Sequence, residues 1–299
     1  MKKPYKIILA LLVLLLVQPH EVFSESSPSL PWALLPRVKA LDESRQNELL
    51  EVLKSEPNYG NCKNTLFQCL VAKKPDRTAV RFANFGGYLV SRGVPAHSLG
   101  FLARERSKFI YETIPQSFTF TDAPFLGNEK AKITIAEFAE FKCPYCVTIS
   151  PLLKKLVNES NGQVRFVFKH FPLKMHPGSF FSSQAAVAAH RQGKFWDMYD
   201  LLFKDFNKQG MEDVVGYAQA LGLNVERFKK DLEDPATQEL IERDKMEGVR
   251  AKVTGTPTLF INGKMYHLRH DEEFLKDLIN EEAERLRIAP PYKDWAYEG

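Results

Sequence analysis

The sequence predicts an α/β fold in which a small mixed sheet is flanked by helices and preceded by a small all-α unit. Three observations lead to this prediction. From residue 113 onward, apolar strand patterns alternate with helical patterns, whereas residues 37–112 carry helical patterns alone. Two cysteines, Cys143 and Cys146, stand where the first long strand gives way to a helix. The predicted strands lie at residues 133–141, 164–168 and 258–261.

The composition is that of an ordinary folded protein. The chain has 299 residues, 44% hydrophobic and 26% charged, and these values exclude general disorder, collagen and coiled-coil proteins. The formal net charge of +4 is too small for the electrostatic surface that nucleic-acid binding needs, so no nucleic-acid partner is expected. Four cysteines are too few to hold so long a chain together by disulfides, so apolar packing must form its core.

The N-terminus has the layout of a secretory signal peptide. A lysine-rich start precedes an unbroken apolar run at residues 7–17, and residues 22–24 are acceptable before a cleavage point. As a helix the apolar run spans about 16 Å, too short to cross a hydrocarbon core of about 30 Å. We therefore expect residues 1–24 to be removed after about Ser24. The protein is then periplasmic or otherwise exported, where disulfides persist.

Two N-terminal segments precede the α/β part of the mature chain. Residues 25–36 are rich in Ser and Pro and are predicted to be a linker. Residues 37–112 are predicted to be a small helical domain or a stalk, in which Gly86-Gly87 is a weak point. Its four short helices are predicted to begin after Asp42, near Asn64, after Asp76 and at Pro95.

Residues 113–289 form the predicted α/β domain. A helical stretch at about 177–250 separates the second predicted strand from the third and is interpreted as an insertion. Asn262-Gly263 predicts a tight hairpin turn after the third strand. A helix at residues 271–287 closes the domain, and residues 290–299 are left as a C-terminal tail.

The segment Cys143-Pro144-Tyr145-Cys146 carries the candidate chemistry. At the start of a helix, unpaired backbone N–H groups and the positive end of the helix dipole stabilise a thiolate at Cys143. Pro144 suits the first helical position because it has no N–H to leave unpaired. In such motifs the cysteine pKa falls to about 3.5–7.5. Because Cys146 can reach Cys143, we expect Cys143 to attack and Cys146 to resolve the mixed disulfide.

Two alternatives stay open for this motif. It can be half of a zinc site, although Cys62 and Cys69 do not form a second CxxC and histidines would have to complete the ligands. It can also be an inert structural disulfide, although so short a loop adds little stability. A redox-active pair is favoured, because CxxC near a β-α-β pattern is typical of thioredoxin-like proteins. No metal and no cofactor are predicted.

A second motif lies more than one hundred residues downstream, where Gly255-Thr256-Pro257-Thr258 directly precedes an apolar strand. Proline can begin a strand, and a cis bond between Thr256 and Pro257 would turn the chain sharply at this point. An ordinary trans turn is the alternative.

Taken together, the motifs resemble the DsbA-like branch of the thioredoxin superfamily. The resemblance spans residues from about 131 to 286, about half of the chain, and includes the helical insertion. It implies a thioredoxin fold, thiol-disulfide oxidoreductase activity and a cis-proline that lies against the cysteine pair. It also implies that Pro144, Tyr145, Thr256 and Pro257 contact the substrate. The matching segments are EFxxFxCPYC (137–146), FKHFPL (168–173), GKFWDMYDLLF (193–203) and GTPTLFING (255–263).

The resemblance also assigns roles to two charged residues. Glu137 matches a buried acid of that branch, and Lys169 matches the lysine that pairs with it. Burial raises the pKa of a carboxyl group, so Glu137 could exchange a proton with Cys146. The alternative is that Glu137 is a half-exposed strand residue near a lysine.

The implied partners are reduced or misoxidised secreted polypeptides, with a membrane quinone-linked protein that reoxidises the pair. Tyr145 replaces the histidine of the most oxidising members, which implies a milder oxidant. Threonine before the proline is shared with disulfide isomerases and copper-linked members, some of which form oligomers through an N-terminal helical stalk. The candidate functions are therefore an oxidase, an oligomeric isomerase or reductase, and a thiol-based Cu(I)-binding protein.

Cys62 and Cys69 form a second cysteine pair. On one straight helix their Cα atoms would be about 10.5 Å apart, too far for a disulfide, which needs roughly 4.4–6.8 Å. A helix that begins near Asn64 would instead leave Cys62 in a loop that can fold back. A structural disulfide is favoured, and a second redox pair that relays with Cys143 and Cys146 is the alternative.

Overall fold

The computed structural model of the protein describes residues 29–292. The predicted signal peptide with its cleavage site, residues 25–28 of the predicted linker and residues 293–299 of the predicted tail lie outside the described residues. Within the described range, no helix is both long and apolar enough to span a membrane.

A mixed sheet of five strands lies at the centre of the C-terminal part, with the order β1-β3-β2-β4-β5. The central strands β2 and β3 are parallel, and the other neighbouring pairs are antiparallel. The predicted α/β class with a small mixed sheet is therefore confirmed. The strands are β1 (Phe125–Gly127), β2 (Ile133–Ala139), β3 (Val164–His170), β4 (Thr258–Ile261) and β5 (Lys264–Tyr266).

The register of β2 decides what each face of the sheet carries. Glu137 lies beside Phe168 on β3, whereas the next residue, Phe138, lies beside Lys169. Residues in register point to the same face, and successive residues point to opposite faces. Glu137 therefore shares a face with the apolar side chains that pack under α6 (Pro144–Glu159). Lys169 lies on the opposite face.

Five helices lie between β3 and β4, where the sequence predicts the insertion. The last of them packs against the face of the sheet that carries Phe138, and the others contribute to the core under α6. The five are α7 (Ser179–His190), α8 (Phe195–Lys204), α9 (Met211–Ala220), α10 (Val225–Glu233) and α11 (Pro235–Arg250). The predicted Asn262-Gly263 turn joins β4 to β5.

The N-terminal part of the described chain is a helical unit with its own apolar core. Asp42 and Asp76 cap helices, as their positions predict. The predicted weak point at Gly86-Gly87 is wrong, because the helix runs through both glycines. A Cβ on Gly87 would lie 2.8 Å from the Arg37 backbone, so glycine allows two helices to approach closely. The helices are α1 (Pro36–Lys39), α2 (Glu43–Ser55), α3 (Leu66–Leu70), α4 (Arg77–Ser91) and α5 (Leu99–Ser107).

The last helix, α12 (Glu272–Arg285), joins the helical unit to the sheet domain. Its Phe274 side chain is part of the apolar core of the helical unit. Its Asp277 carboxylate forms ion pairs with the fully buried Arg81 (3.0 Å) and Arg106 (2.7 Å). Buried charges are costly unless they are paired, so these contacts fix the helical unit on α12. The unit packs against the domain and does not extend from it as a stalk.

Candidate active site at the Cys143–Cys146 pair

The two cysteines lie where the sequence predicts, at the start of α6. Cys143 is the N-cap residue, Pro144 occupies the first turn, and Cys146 follows inside it. Both thiols are free in this structure. Cys143 is 2% exposed and Cys146 is fully buried, so their difference in exposure is small. The difference between them lies in their acidity.

Cys143 is an unusually acidic thiol. Its pKa is lowered to about 5, first by a hydrogen bond from the Cys146 thiol. Burial opposes this shift, and the backbone N–H groups of Tyr145 and Cys146 add to it. These N–H groups belong to the first turn of α6, where the helix leaves its first N–H groups without the usual partners; that of Cys146 also faces the Cys143 carbonyl oxygen at 3.1 Å. The helix start therefore stabilises a thiolate at Cys143 under neutral conditions.

The peptide bond between Thr256 and Pro257 is cis, as the second motif predicts, and it lies against the cysteine pair. The Cys143 thiol donates a hydrogen bond to the Thr256 carbonyl oxygen at 3.2 Å. The Thr256 hydroxyl is buried and has no hydrogen-bond partner among the described residues while Cys143 is a thiol. It is a donor for the thiolate form, and its hydrogen bond helps to lower the pKa of Cys143. Thr256 thus serves both protonation states of Cys143.

Cys146 shows the opposite behaviour. Burial raises its pKa well above the ordinary thiol value, and the hydrogen bond that it donates to Cys143 and the charge of Glu137 raise it further. Cys146 therefore stays protonated while Cys143 is a thiolate. When Cys146 must form or leave as a thiolate, a nearby group has to take or give its proton.

Glu137 is an ionisable group whose charge acts on both cysteines. It is fully buried on the face of β2 under α6, and neither carboxylate oxygen has a hydrogen-bond partner among the described residues. Burial, followed by repulsion from Cys143, raises the pKa of Glu137 to about 8. The prediction that Glu137 faces the interior beside the cysteines agrees with this position. The alternative of a half-exposed strand residue is wrong.

The predicted pairing of Lys169 with Glu137 is wrong. The Lys169 ammonium forms ion pairs with Asp244 and with Glu247 (3.0 Å), and it donates to the Thr119 carbonyl oxygen at 2.9 Å. The reason is the pleat of the strands, because Lys169 is in register with Phe138 and points away from the face of Glu137. Lys169 therefore holds α11 and the segment before β1, and it makes no contact with the cysteine pair.

Two residues that the sequence analysis missed meet in the turn before the cysteine motif. The fully buried Glu140 follows the end of β2, and its carboxylate binds the Nδ1 atom of His176, in the loop after β3. The same carboxylate accepts a hydrogen bond from the Lys142 backbone N–H at 2.9 Å. An acid only three residues before Cys143 was the available signal for Glu140. The sequence contains no comparable signal for His176.

A third missed residue, Gln209, comes from the loop between α8 and α9. Its buried side-chain amide donates to the Phe141 carbonyl oxygen at 2.9 Å and accepts from the Ser182 hydroxyl at 2.6 Å. The Lys142 ammonium donates to the Phe206 carbonyl oxygen at 3.3 Å. The helical insertion therefore holds the turn that leads into the cysteine motif.

The surface next to the cysteine pair is apolar at one point. Tyr145, between the two cysteines, is 72% exposed. An exposed aromatic side chain beside a reactive thiol can contact a bound polypeptide. This position fits the implied substrate contact.

Cys62 and Cys69 form a disulfide in the structure, with their Cα atoms 5.9 Å apart. Cys62 lies in the loop before α3 and Cys69 lies within α3, so the predicted fold-back of the loop is confirmed. The disulfide borders a cavity of about 580 Å³ between the helical unit and the end of α12. No residue of the segments 143–146 or 255–258 lines this cavity.

Within residues 29–292, no three His, Cys, Asp or Glu side chains are grouped so that they could hold a metal ion. The zinc alternative requires such a group to complete the ligand set around Cys143 and Cys146. The described residues do not supply it.

Comparison with known proteins gives one family and several partial likenesses. Residues 120–281 match the family model described as thioredoxin, and this match covers more than half of the chain. An Na(+)/H(+) antiporter NhaA of Salinispora arenicola is 33% identical over 165 residues, which are 55% of this chain and 25% of the antiporter. The chain therefore spans about a quarter of the length of the curated relatives it matches.

Among solved structures, a thioredoxin-like oxidoreductase from Silicibacter pomeroyi is 28% identical, with a TM-score of 0.49, and the match covers 56% of this chain and 92% of that one. Oxidised BdbD from Bacillus subtilis is 21% identical, with a TM-score of 0.49, and the match covers 57% of this chain and 98% of that one.

Proposed function

Because this chain belongs to the thioredoxin family, we propose that it is an exported thiol-disulfide oxidoreductase that donates its Cys143–Cys146 disulfide to reduced secreted polypeptides. The observation that carries the proposal is the opposite acidity of the two thiols. The pKa of Cys143 lies at about 5, whereas that of Cys146 is raised. A disulfide whose reduced form is stabilised in this way is an oxidant, because the folded protein favours the dithiol product.

The exchange runs in two balanced steps. A substrate thiolate attacks the Sγ atom of Cys143, a bond forms between the two sulfurs, and the Cys143–Cys146 bond breaks with its electron pair on Cys146. Cys146 then takes a proton from Glu137, whose carboxyl is largely protonated at neutral pH because its pKa is raised to about 8.

In the second step a further substrate thiolate attacks the substrate sulfur of the mixed disulfide. Cys143 leaves as a thiolate, and its low pKa makes it a good leaving group. The substrate has lost two electrons and the protein has gained them. A membrane quinone-linked partner, as the family resemblance implies, would accept these electrons and restore the disulfide.

The substrate-binding side of the proposal rests on four residues. Tyr145 is exposed next to the pair, and Pro144 holds the first turn of α6. Thr256 contacts the Cys143 sulfur directly, and Pro257 follows it through a cis bond. A polypeptide that reaches Cys143 must pass along these residues. Export to an oxidising compartment rests on the predicted signal peptide.

Oxidative refolding of reduced, denatured lysozyme tests the proposal. The oxidised protein should restore activity faster than a glutathione buffer alone, and the Cys143→Ala variant should lose the acceleration. In the same buffer, with oxidised glutathione as the two-electron oxidant, the Cys146→Ala variant should accumulate as a mixed disulfide with lysozyme through Cys143. An unchanged refolding rate in Cys143→Ala would contradict the proposal.

Alkylation of the free thiols in cells separates the oxidase from an isomerase or reductase. An oxidase should rest with Cys143 and Cys146 joined, so that neither is labelled. A pair that is fully labelled in growing cells would favour the isomerase or reductase instead.

A further inference from the structure

We propose that the surface around Cys143 selects reduced polypeptides whose reacting cysteines are flanked by acidic side chains. The inference rests on the proposed function and adds to it a class of substrate. It follows from three segments that meet at the cysteine motif and carry basic residues but no Asp or Glu. The first, second and third rim segments are residues 141–151, 171–178 and 248–258.

The three rim segments are neighbours at the end of the sheet where Cys143 lies. The first and second follow β2 and β3, and because these strands are parallel both segments start at the same edge of the sheet. The Cys143 thiol of the first segment donates to the Thr256 carbonyl oxygen of the third at 3.2 Å. A Cβ on Gly248 in the third segment would lie 2.7 Å from the Phe171 ring in the second. A polypeptide bound at Cys143 therefore meets all three segments.

The rim segments carry spare positive charge. Lys174, Arg250 and Lys252 are exposed and form no ion pair with any residue that the structure describes. Lys252 is four residues before Thr256, so their Cα atoms are at most about 14 Å apart. A substrate residue up to four positions from its own cysteine reaches equally far from the reacting sulfur. The charges are therefore placed to meet the residues that flank a substrate cysteine.

The acids closest to this surface do not face the solvent. Glu137 and Glu140 are fully buried. Asp244 and Glu247, on α11, are also buried, and both form ion pairs with Lys169. An approaching polypeptide thus meets charges of one sign, which speeds the association of an acidic chain and slows that of a basic one.

Each rim segment also exposes an apolar side chain. Tyr145 of the first is 72% exposed, Met175 of the second 76% and Val249 of the third 50%. Aromatic rings and flexible methionine side chains can pack against varied apolar partners. These three side chains suit an unfolded chain of any sequence, whereas the cations discriminate between chains by their charge.

Three reduced peptides test the selection. They share one sequence with two cysteines and differ only in the residues that flank the cysteines, which are Asp, Ser or Lys. The two thiols of each peptide lose two electrons and form a disulfide, and the disulfide of the oxidised protein gains them. Each rate is divided by the rate of the same peptide with the neutral reagent 2-hydroxyethyl disulfide, because flanking charges also change the reactivity of the peptide thiols.

The corrected rate should be on the order of tenfold higher for the Asp peptide than for the Lys peptide at low ionic strength, with the Ser peptide between them. In 1 M salt, where the Debye length is about 3 Å, the ratio should approach one. This measurement uses the unmodified protein, so it decides the question even if a variant fails to fold.

Charge reversal assigns the preference to the rim segments. The variant Lys174→Glu, Arg250→Glu, Lys252→Glu should prefer the Lys peptide. The matched control carries the same change in net charge at exposed positions of the helical unit and should keep the preference for the Asp peptide. It is Lys39→Glu, Lys73→Glu, Lys74→Glu.

The outcomes separate this inference from the proposed function. If the protein oxidises all three peptides at equal corrected rates, or if the preference survives reversal of the rim charges, the inference is overturned and the proposed function stands. If the protein oxidises none of the peptides faster than 2-hydroxyethyl disulfide does, the proposed function itself fails. Equal peptide rates together with retention of the protein on phosphatidylglycerol vesicles would assign the cations to a membrane surface, and this also overturns the inference.

Discussion

The two cysteine pairs of this protein differ in their chemistry because their structural surroundings differ. Cys143 and Cys146 lie at the start of a helix, and Cys143 contacts N–H donors and Thr256. Cys62 and Cys69 join a loop to the interior of a short helix and form a disulfide. The first pair has two thiols of opposite acidity, whereas the second pair is a bridge between two backbone segments.

The acids beside the two cysteine pairs also differ, in their hydrogen-bond partners. The Asp76 carboxylate, next to Cys62, accepts hydrogen bonds from the backbone N–H groups of Cys62 (3.3 Å) and Thr78 (3.0 Å). Glu137, next to Cys146, has no such partner within the described chain. A half-buried carboxylate that accepts N–H donors supports the fold, whereas a fully buried one without them has its pKa raised and can move a proton. The surroundings therefore distinguish a structural pair from a reactive one.

The largest effect should come from removing one pair or the other. Cys143→Ser should abolish acceleration of lysozyme refolding, because Cys146 is left without a partner and the disulfide that a substrate thiolate attacks cannot form. The double variant Cys62→Ser with Cys69→Ser should keep the acceleration and lower the free energy of unfolding by about 2.5 kcal/mol, the loop-closure value for so short a loop. Refolding rates and urea unfolding measure the two effects. Loss of the acceleration in the double variant would support the alternative in which this second pair exchanges disulfides with Cys143 and Cys146.

The next largest effect should come from the acids. Glu137→Gln should raise the free energy of unfolding by about 2–4 kcal/mol at pH 8. The carboxyl has a pKa of about 8 in the native protein but near 4.5 in the unfolded chain, so between these values its ionisation favours unfolding, and glutamine removes this cost. Asp76→Ala should lower it by about 1–2 kcal/mol, through loss of a helix cap. Urea unfolding at pH 8 and at pH 5 measures both. The gain in Glu137→Gln should fall to about 1 kcal/mol or less at pH 5, and a gain of undiminished size there would contradict the raised pKa.

The reduced and oxidised forms should respond differently to pH. In the reduced form the pKa of Cys143 is lowered to about 5, whereas an unfolded thiol titrates at about 8.5. Between these values the Cys143 thiol binds more protons in the unfolded chain than in the native one, so it should make the reduced form more stable relative to the oxidised form as the pH rises, by at most about 5 kcal/mol across the window. Glu137, whose pKa is raised, acts in the opposite sense over the same window. The oxidised form has no such thiol and should lack this gain. Parallel thermal unfolding of both forms from pH 5 to about pH 8.5 checks the difference, and parallel curves would contradict it.

The smallest effect should come from Thr256. Thr256→Val removes the hydroxyl and keeps the shape and the backbone carbonyl oxygen that contacts Cys143. The thiolate loses one donor, so its pKa should rise by about half a unit to one unit. Alkylation rates against pH measure the shift, and Thr258→Val, whose hydroxyl donates to the Gly255 carbonyl oxygen instead, is the matched control. Equal shifts of the Cys143 pKa in both variants would show that the Thr256 hydroxyl has no specific effect on the thiolate.

Much of the fold and the centre of the site could be predicted because their signals are local. The CxxC at the end of a strand, the cap residues Asp42 and Asp76, and the turn at Asn262-Gly263 each act within a few residues of themselves. The continuous helix at Gly86-Gly87 could not be predicted, because it depends on the approach of α1.

The parts of the site that were missed depend on long-range contacts. Lys169 was paired with the wrong acid because its true partners, Asp244 and Glu247, lie on α11 and become neighbours only when the insertion packs on the sheet. His176 and Gln209 reach the turn before the cysteine motif from loops that no spacing in the sequence connects to it. The direction of a strand side chain, once the register is known, is enough to correct the Lys169 assignment.

The buried arginines of the helical unit limit how this protein can be divided. A fragment trimmed to residues 113–292 would keep the cysteine motif and the whole sheet, yet it would expose the Phe274 ring and leave Asp277 without the guanidinium groups of Arg81 and Arg106. The half that holds the cysteine motif is thus a poor candidate for a stand-alone fragment, and protein engineers should carry both halves together.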